Sequence, residues 1–214
     1  ERLALESMER GWQLATHAIG DRAIHQVLNA YGLADQRFRR RDHRFRIEHC
    51  QIVNVKDIAD FARLSVIASM QPTHATSDMA WVPDRIGSRR LEGAYAWRRF
   101  FNAGVHLALG SDFPIEQADP RLGIYAAVTR QTLEGEPAEG WMPDQRLTVL
   151  EALRGFTTEA AFAAGREAHL GSLAPGMQAD ITCFGADLRS VPHAELPKTP
   201  ILATIIRGDI CHRA

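Results

Sequence analysis

Cysteine is scarce in this chain. Only Cys50, Cys183 and Cys211 occur in 214 residues, too far apart to suggest a paired framework and without a CxxC motif. That excludes a disulfide-stapled scaffold and points to a reducing compartment, here expected to be the cytoplasm. No apolar run approaches the roughly 20 residues that a membrane span needs. Neither sign of charge is in excess: 25 Lys and Arg face 26 Asp and Glu, a net charge of −1. A nucleic acid or an anionic membrane is therefore not an expected partner. What the chain does have is 45% apolar residues, enough for the core of one sizeable domain, with or without a small appendage. It opens at Glu1, already in a helix-like segment, so a leader or further chain upstream is compatible with the sequence.

The informative feature is a row of polar residues placed where short apolar runs stop. His17 follows Trp12 to Thr16, His49 follows Phe45 to Glu48, His74 follows Val66 to Thr73, and Asp112 follows Val105 to Ser111. Helical segments come soon after three of them, so the order reads as a repeated strand, polar tip and helix. In parallel α/β barrels built from that unit the strand tips gather on one face, where chemistry is done. Cys50 is expected to pack, because alternation along a strand turns it away from His49.

The organisation follows from local signals. Leu3 to Arg10 reads as a helix closed by Gly11, and the helix after Gly20-Asp21 carries Ile24, Val27, Leu28 and Tyr31 on one face with Gly32 as its expected cap. Asn54 is placed to cap the next helix. The segment from Gln71 to Gly87 reads as a long excursion, of a length that is commonly functional, before a helix around Leu91 to Phe101. Asp119-Pro120 supplies a cap and a first-turn proline. Residues 131–146, rich in Gly, Glu and Pro and bearing Trp141, read as a surface loop or lid. Thr148 and Glu151 form a capping box for one long helix reaching Gly165. Residues 169–214 change to short β-like runs, a small module that strands from elsewhere would complete. The basic run from Arg37 to Arg46 reads as a solvated connection.

Three imidazoles and a carboxylate at strand tips have the donor chemistry for a divalent, zinc-like ion, which lowers the pKa of a bound water toward about 7. A carboxylate beside that water can accept its proton and return it to a departing nitrogen. A further imidazole such as His74 can hold the substrate carbonyl or the oxyanion that forms from it. His25, His43, His106, His169, His193 and His212 lie on helix faces, in connections or in the tail, and are expected to be structural or exposed.

The strings His17-Ala18-Ile19-Gly20-Asp21-Arg22, Arg46-Ile47-Glu48-His49, Ala68 to Met79, Tyr95-Ala96-Trp97-Arg98 and Gly110-Ser111-Asp112-Phe113-Pro114 resemble the amidohydrolase superfamily, most closely amidohydrolase family 3, whose members include N-substituted formamide deformylase. Gly171 to Ile181 is similar to the segment where such chains return from the barrel to a small β-sandwich. The resemblance implies an α/β fold: the C-terminal half, strands five to eight, of a distorted TIM (β/α)8 barrel over residues 1–168, and part of a β-sandwich over 169–214. It implies His17, His49 and Asp112 as ligands of one or two divalent ions, zinc foremost. Asp112 would also be the proton shuttle, and His74 would touch substrate. In one-metal branches the residue at His49 hydrogen-bonds the attacking water instead. Asp21, Arg46 and Glu48 would orient the ligands.

The family's first-strand His-x-His is absent, and Lys56 and Lys198, the only lysines, do not fit its fourth-strand bridge. The expectation is a C-terminal portion of a longer metal-dependent hydrolase cleaving non-peptide C–N bonds of small-molecule amides. The isolated portion would be inactive and would pair with its N-terminal half or with another copy of itself. Two other readings compete: a non-catalytic binding module derived from the fold, and a deaminase of heterocycles. An upstream reading frame bearing His-x-His discriminates the enzyme from the binding module.

Overall fold

A computed structural model describes residues 1–39 and 42–214. Four short strands, β1 (Ala15–Ala18), β2 (Arg46–His49), β3 (Ile67–Met70) and β4 (Leu107–Leu109), form a parallel sheet in the order β1-β2-β3-β4. Parallel neighbours need long crossovers, and helices supply them. Helix α1 (Arg2–Arg10) precedes β1 and ends at Gly11, whose φ of 71° suits a glycine. Helix α2 (Asp21–Phe38) buries Ile24, Leu28, Tyr31 and Ala34, one face at helical spacing. It runs straight through Gly32 to a left-handed Arg39, correcting the expected cap. A glycine inside a helix costs about 1 kcal/mol against alanine, and here the apolar face continues past it to Ala34, with Leu64 close at Gly32.

Asn54 caps a 3-10 turn, Val55–Asp57, that leads into α3 (Ile58–Leu64). The Gln71 to Gly87 excursion is largely helical: α4 (Pro72–Asp78) and α5 (Val82–Ile86), followed by α6 (Ser88–Leu91) and α7 (Trp97–Asn102). The expected single helix over 91–101 is interrupted at Gly93, which passes so near the Val53 carbonyl that a Cβ there would overlap it. Asp119 caps α8 (Pro120–Thr129) as expected. The capping box of Thr148 and Glu151 is present on α9 (Val149–Phe156), but Thr157 breaks the chain before α10 (Thr158–Ala163). The tail is a three-stranded antiparallel sheet of β5 (Ile181–Phe184), β6 (Ile201–Ile206) and β7 (Asp209–Arg213). Between these strands, Leu188 and Leu196 join the main core, and Arg121 on α8 donates to the Thr199 carbonyl at 2.7 Å.

Register sorts the parallel sheet into two faces. His17 pairs with Glu48 and Glu48 with Ser69, while Thr16, Ile47 and Ala68 share the other face. That second face meets the helices, with Tyr31, Phe45, Ile47, Phe61, Met70, Trp97 and Phe100 among the fully buried side chains. On the first face, Ile67, Ala108 and Ala163 of α10 form a small separate cluster. The last-turn carbonyls of α10, which no helical N–H can satisfy, accept from Arg44 Nη1 at 2.9 Å, Gln13 Nε2 at 2.6 Å and Arg46 Nη1 at 3.2 Å. Cations at a helix C-terminus also oppose its dipole. Arg44 further pairs with Glu167 at 2.7 Å and lies over the Phe162 ring. The basic run is thus a docking element for α10 at its C-terminal end rather than a solvated connection; Arg40 and Arg41 lie outside the described residues.

Among the described residues, no helix is long and apolar enough to cross a membrane.

Candidate metal centre

Three of the four strand-tip residues converge. Ligand atoms of His49, His74 and Asp112 all lie within 4.8 Å of one another. The His17 ring meets the His49 ring edge-on, centroids 4.5 Å apart, and the His49 and His74 rings stack at 5.9 Å. His74 Nε2 is 3.8 Å from Asp112 Oδ2. His17 therefore borders the cluster through His49 rather than falling within the common 4.8 Å reach.

The backbone does the aiming. His49 is the last residue of β2 and has φ 78°, followed by Cys50 at 47°. Strict alternation would put His49 on the face of Ile47, and the left-handed turn ends that pleat at the strand tip. Cys50 is fully buried with its Sγ toward the Ile47 carbonyl, and burial pushes its thiol well above the ordinary range, so it packs, as expected. Asp112 has φ 58°, which an aspartate tolerates better than most residues. His74 sits in the first turn of α4. Gln71 is extended, as a residue before proline should be, and Pro72 occupies the first helical turn. The helix thus begins immediately after β3 and carries His74 over the strand ends.

Each group is chemically ready. Burial pushes His74 below the ordinary histidine value, which keeps the imidazole neutral near pH 7. Its Nε2 is buried and lacks a hydrogen-bond partner among the described residues, an orphan that needs an explanation. His49 Nδ1 lies 3.0 Å from Gln71 Oε1. That acceptor requires the proton on Nδ1, leaving the Nε2 lone pair free. The His49 imidazole and the Asp112 carboxylate are donors that a divalent ion of the zinc type takes, and His74 Nε2 lies within the same 4.8 Å, near enough to meet a group that such an ion would hold.

The orienting groups differ from those expected. Arg46 pairs with Glu48, and Asp21 pairs with Arg90 at 2.8 Å; no hydrogen bond among the described residues links Asp21, Arg46 or Glu48 to a site histidine. Gln71 performs that task for His49. A second unforeseen network holds α4: Asp78 accepts from Gln51 Nε2 at 2.8 Å and from the Tyr95 hydroxyl, tying the helix that bears His74 to the segment after β2. Tyr95 in turn offers its carbonyl to Arg130 Nη1 at 3.0 Å. Arg130 is fully buried between the Trp97 and Trp141 rings, 4.3 and 5.2 Å from their centroids, and burial lowers it to about 9. It stays cationic at neutral pH. Trp141 thus serves this stack rather than pointing from a free lid. Gln71 had one local signal, a polar side chain wedged between an apolar strand and a proline; Asp78 and Tyr95 lay within strings that carry the family resemblance, but nothing local in the sequence paired them.

Parallel strands separated by helices, with imidazoles and a carboxylate gathered at their C-terminal ends, form an α/β protein with a candidate metal centre. The chain belongs to the amidohydrolase family, whose sequence profile matches residues 1–212. It is 35% identical over 99% of its length to Bacillus subtilis YtcJ, which carries the name amidohydrolase, and covers 39% of that protein. It is 30% identical over 96% of its length to N-substituted formamide deformylase from Arthrobacter pascens, covering 38% of it. An uncharacterized metal-dependent hydrolase from Pyrococcus horikoshii superposes with a TM-score of 0.71 at 28% identity, over 83% of this chain and 35% of that one. The chain thus spans less than half the length of each of these relatives.

Proposed function

We propose that this chain forms part of a metal-dependent hydrolase that cleaves non-peptide C–N bonds of small amides. In this reading residues 1–168 are strands five to eight of a distorted eight-stranded barrel, and residues 169–214 are strands of a small β-sandwich. The observation that carries it is the convergence of His49, His74 and Asp112 from the ends of three consecutive parallel strands. An ion held by His49 and Asp112, with His17 beside them, would polarise the scissile carbonyl and acidify a water.

The chain's own groups do the rest. Asp112 takes the water's proton and passes it to the departing nitrogen, a role suited to a partly exposed carboxylate 3.8 Å from His74. His74, neutral and unpartnered at Nε2, holds the carbonyl oxygen as charge develops on it. Gln71 fixes His49, and the Asp78 network fixes the helix that carries His74.

The 38–39% coverage of the two named relatives and the unpaired outer edges of β1 and β4 support an upstream half of the same protein, or a second copy, as partner. Zinc analysis after dialysis tests the site: Asp112→Ala and His49→Ala should each lose the ion, while His25→Ala keeps it. The chain alone should not turn over amides even with zinc, and mixing with a separately prepared upstream half should restore hydrolysis. Zinc-dependent hydrolysis by the isolated chain, abolished in His17→Ala, would overturn the two-part reading.

A further inference from the structure

A cavity of about 250 Å³ opens at Thr73, the residue before His74. Its walls come from α4, from the segment after Asp112, from α8 and from the residues that follow α8: Thr73, Ser77, Glu116, Leu122, Tyr125 and Leu133 are among them. The excursion after β3 and the loop beyond α8 therefore meet there, one residue from the imidazole proposed to hold the carbonyl. The lining sets aliphatic and aromatic carbon from Leu122, Tyr125 and Leu133 among a larger number of polar residues, Thr76, Gln117 and Gln131 with them, so a small molecule there would meet both apolar surface and hydrogen-bonding groups. A cavity of about 150 Å³ lined by apolar side chains already takes benzene, so this one has room for a ring.

Two polar features narrow the choice. Thr73 is 9% exposed, and its hydroxyl is buried with no partner among the described residues. Such a group is a donor or acceptor waiting for one ligand atom. Glu116 accepts from the Ser77 hydroxyl at 2.6 Å and places a carboxylate on the rim, which repels an anion. Leu133, on the lining, is 62% exposed. A large apolar side chain left open at a pocket mouth extends its apolar surface outward.

We infer that this cavity is the subsite for an uncharged, aryl-sized substituent of the substrate, with Thr73 hydrogen-bonding one polar atom of it. The inference rests on the amide-hydrolase reading for the word substrate, but the cavity is built wholly by this chain. Substituents bearing a carboxylate are disfavoured at Glu116.

The test uses the 214-residue chain and three probes: formanilide, formamide and 4-formamidobenzoate. Binding is followed by saturation-transfer NMR and by methyl shifts of Leu122 and Leu133. Formanilide should bind at least tenfold more tightly than formamide and shift both leucines, and 4-formamidobenzoate should be at least fivefold weaker than formanilide. Glu116→Gln should remove most of that discrimination, and Thr73→Val should weaken formanilide several-fold. Ala126→Leu, which adds bulk to the lining, should block it. If that variant does not fold, Leu133→Asp on the exposed rim serves instead. Formanilide that fails to bind, or that binds equally to wild type, Thr73→Val and Leu133→Asp, overturns the subsite. Formanilide that binds as described but is not hydrolysed once the upstream half is supplied refutes the amide-hydrolase reading and leaves the pocket standing.

Discussion

Replacing Gln71 by leucine isolates its 3.0 Å contact with His49 Nδ1, the contact expected to orient that imidazole. Gln71 is 7% exposed and His49 is 9% exposed, so water does not readily take the place of the lost Oε1. The 3.0 Å bond itself is worth about 1 kcal/mol net, and leaving the Nδ1–H buried without an acceptor costs about 1–3 kcal/mol. Apo Gln71→Leu should therefore unfold in urea with a stability lower by about 2 kcal/mol. Zinc affinity should fall 10- to 100-fold, the usual loss when such an orienting partner is removed, because the imidazole is no longer held in the Nδ1–H tautomer. Gln71→Glu keeps an acceptor at the same reach and should retain the wild-type affinity or exceed it. Competition with a chromophoric chelator at pH 7.5 reads the affinity of all three proteins. Equal zinc affinity in wild type and Gln71→Leu, or a loss in Gln71→Glu as large as in Gln71→Leu, would refute the orienting role.

Glu151 tests the junction of α7 and α9: Arg98 Nη2 and Nη1 reach it at 2.6 and 2.9 Å and hold its carboxyl down to about 2. A lowered carboxylate contributes stability that is complete above about 4.5 and is lost as pH falls toward 2; Glu151→Gln should cost about 1 kcal/mol at pH 7, after allowance for solvent screening, and close to nothing at pH 2. Glu151→Ala, which also breaks the capping box, should cost about 1 kcal/mol more at both pH values, and a urea series at the two pH values checks both. Gly93→Ala should destabilise by more than 2 kcal/mol, since the new methyl collides with the Val53 carbonyl in a segment where Val53 N–H also bonds the Gly93 carbonyl at 2.9 Å; a melting temperature within 2 °C of wild type would contradict that close approach.

The strand tips were legible because their signal is local. An apolar run that ends in His49 or Asp112 and gives way to a helix needs no distant partner to be recognised, and the box of Thr148 and Glu151 is read within four residues. Gly32 misled because its cost is small beside the packing of a long helix face, which only the neighbouring elements reveal. Arg44 and Arg46 looked solvated for the same reason: the carbonyls they satisfy belong to a helix more than 100 residues away. Gln71 and Asp78 are ordinary polar residues until β2 and α4 are placed side by side.

The left-handed φ values at His49 and Asp112 set the fold and the proposed chemistry at odds. Each such residue without a glycine's freedom costs of order 1 kcal/mol, and glycine at position 112 would relieve that cost while deleting the carboxylate proposed to carry the proton. Selection of this chain for thermal endurance alone, with no demand for turnover, would accordingly reward changes at the working end of the sheet before it improved the helices. An engineer seeking a hardier variant should hold His49 and Asp112 fixed and look for gains on α2 and the tail sheet, where stability and the proposed chemistry do not compete.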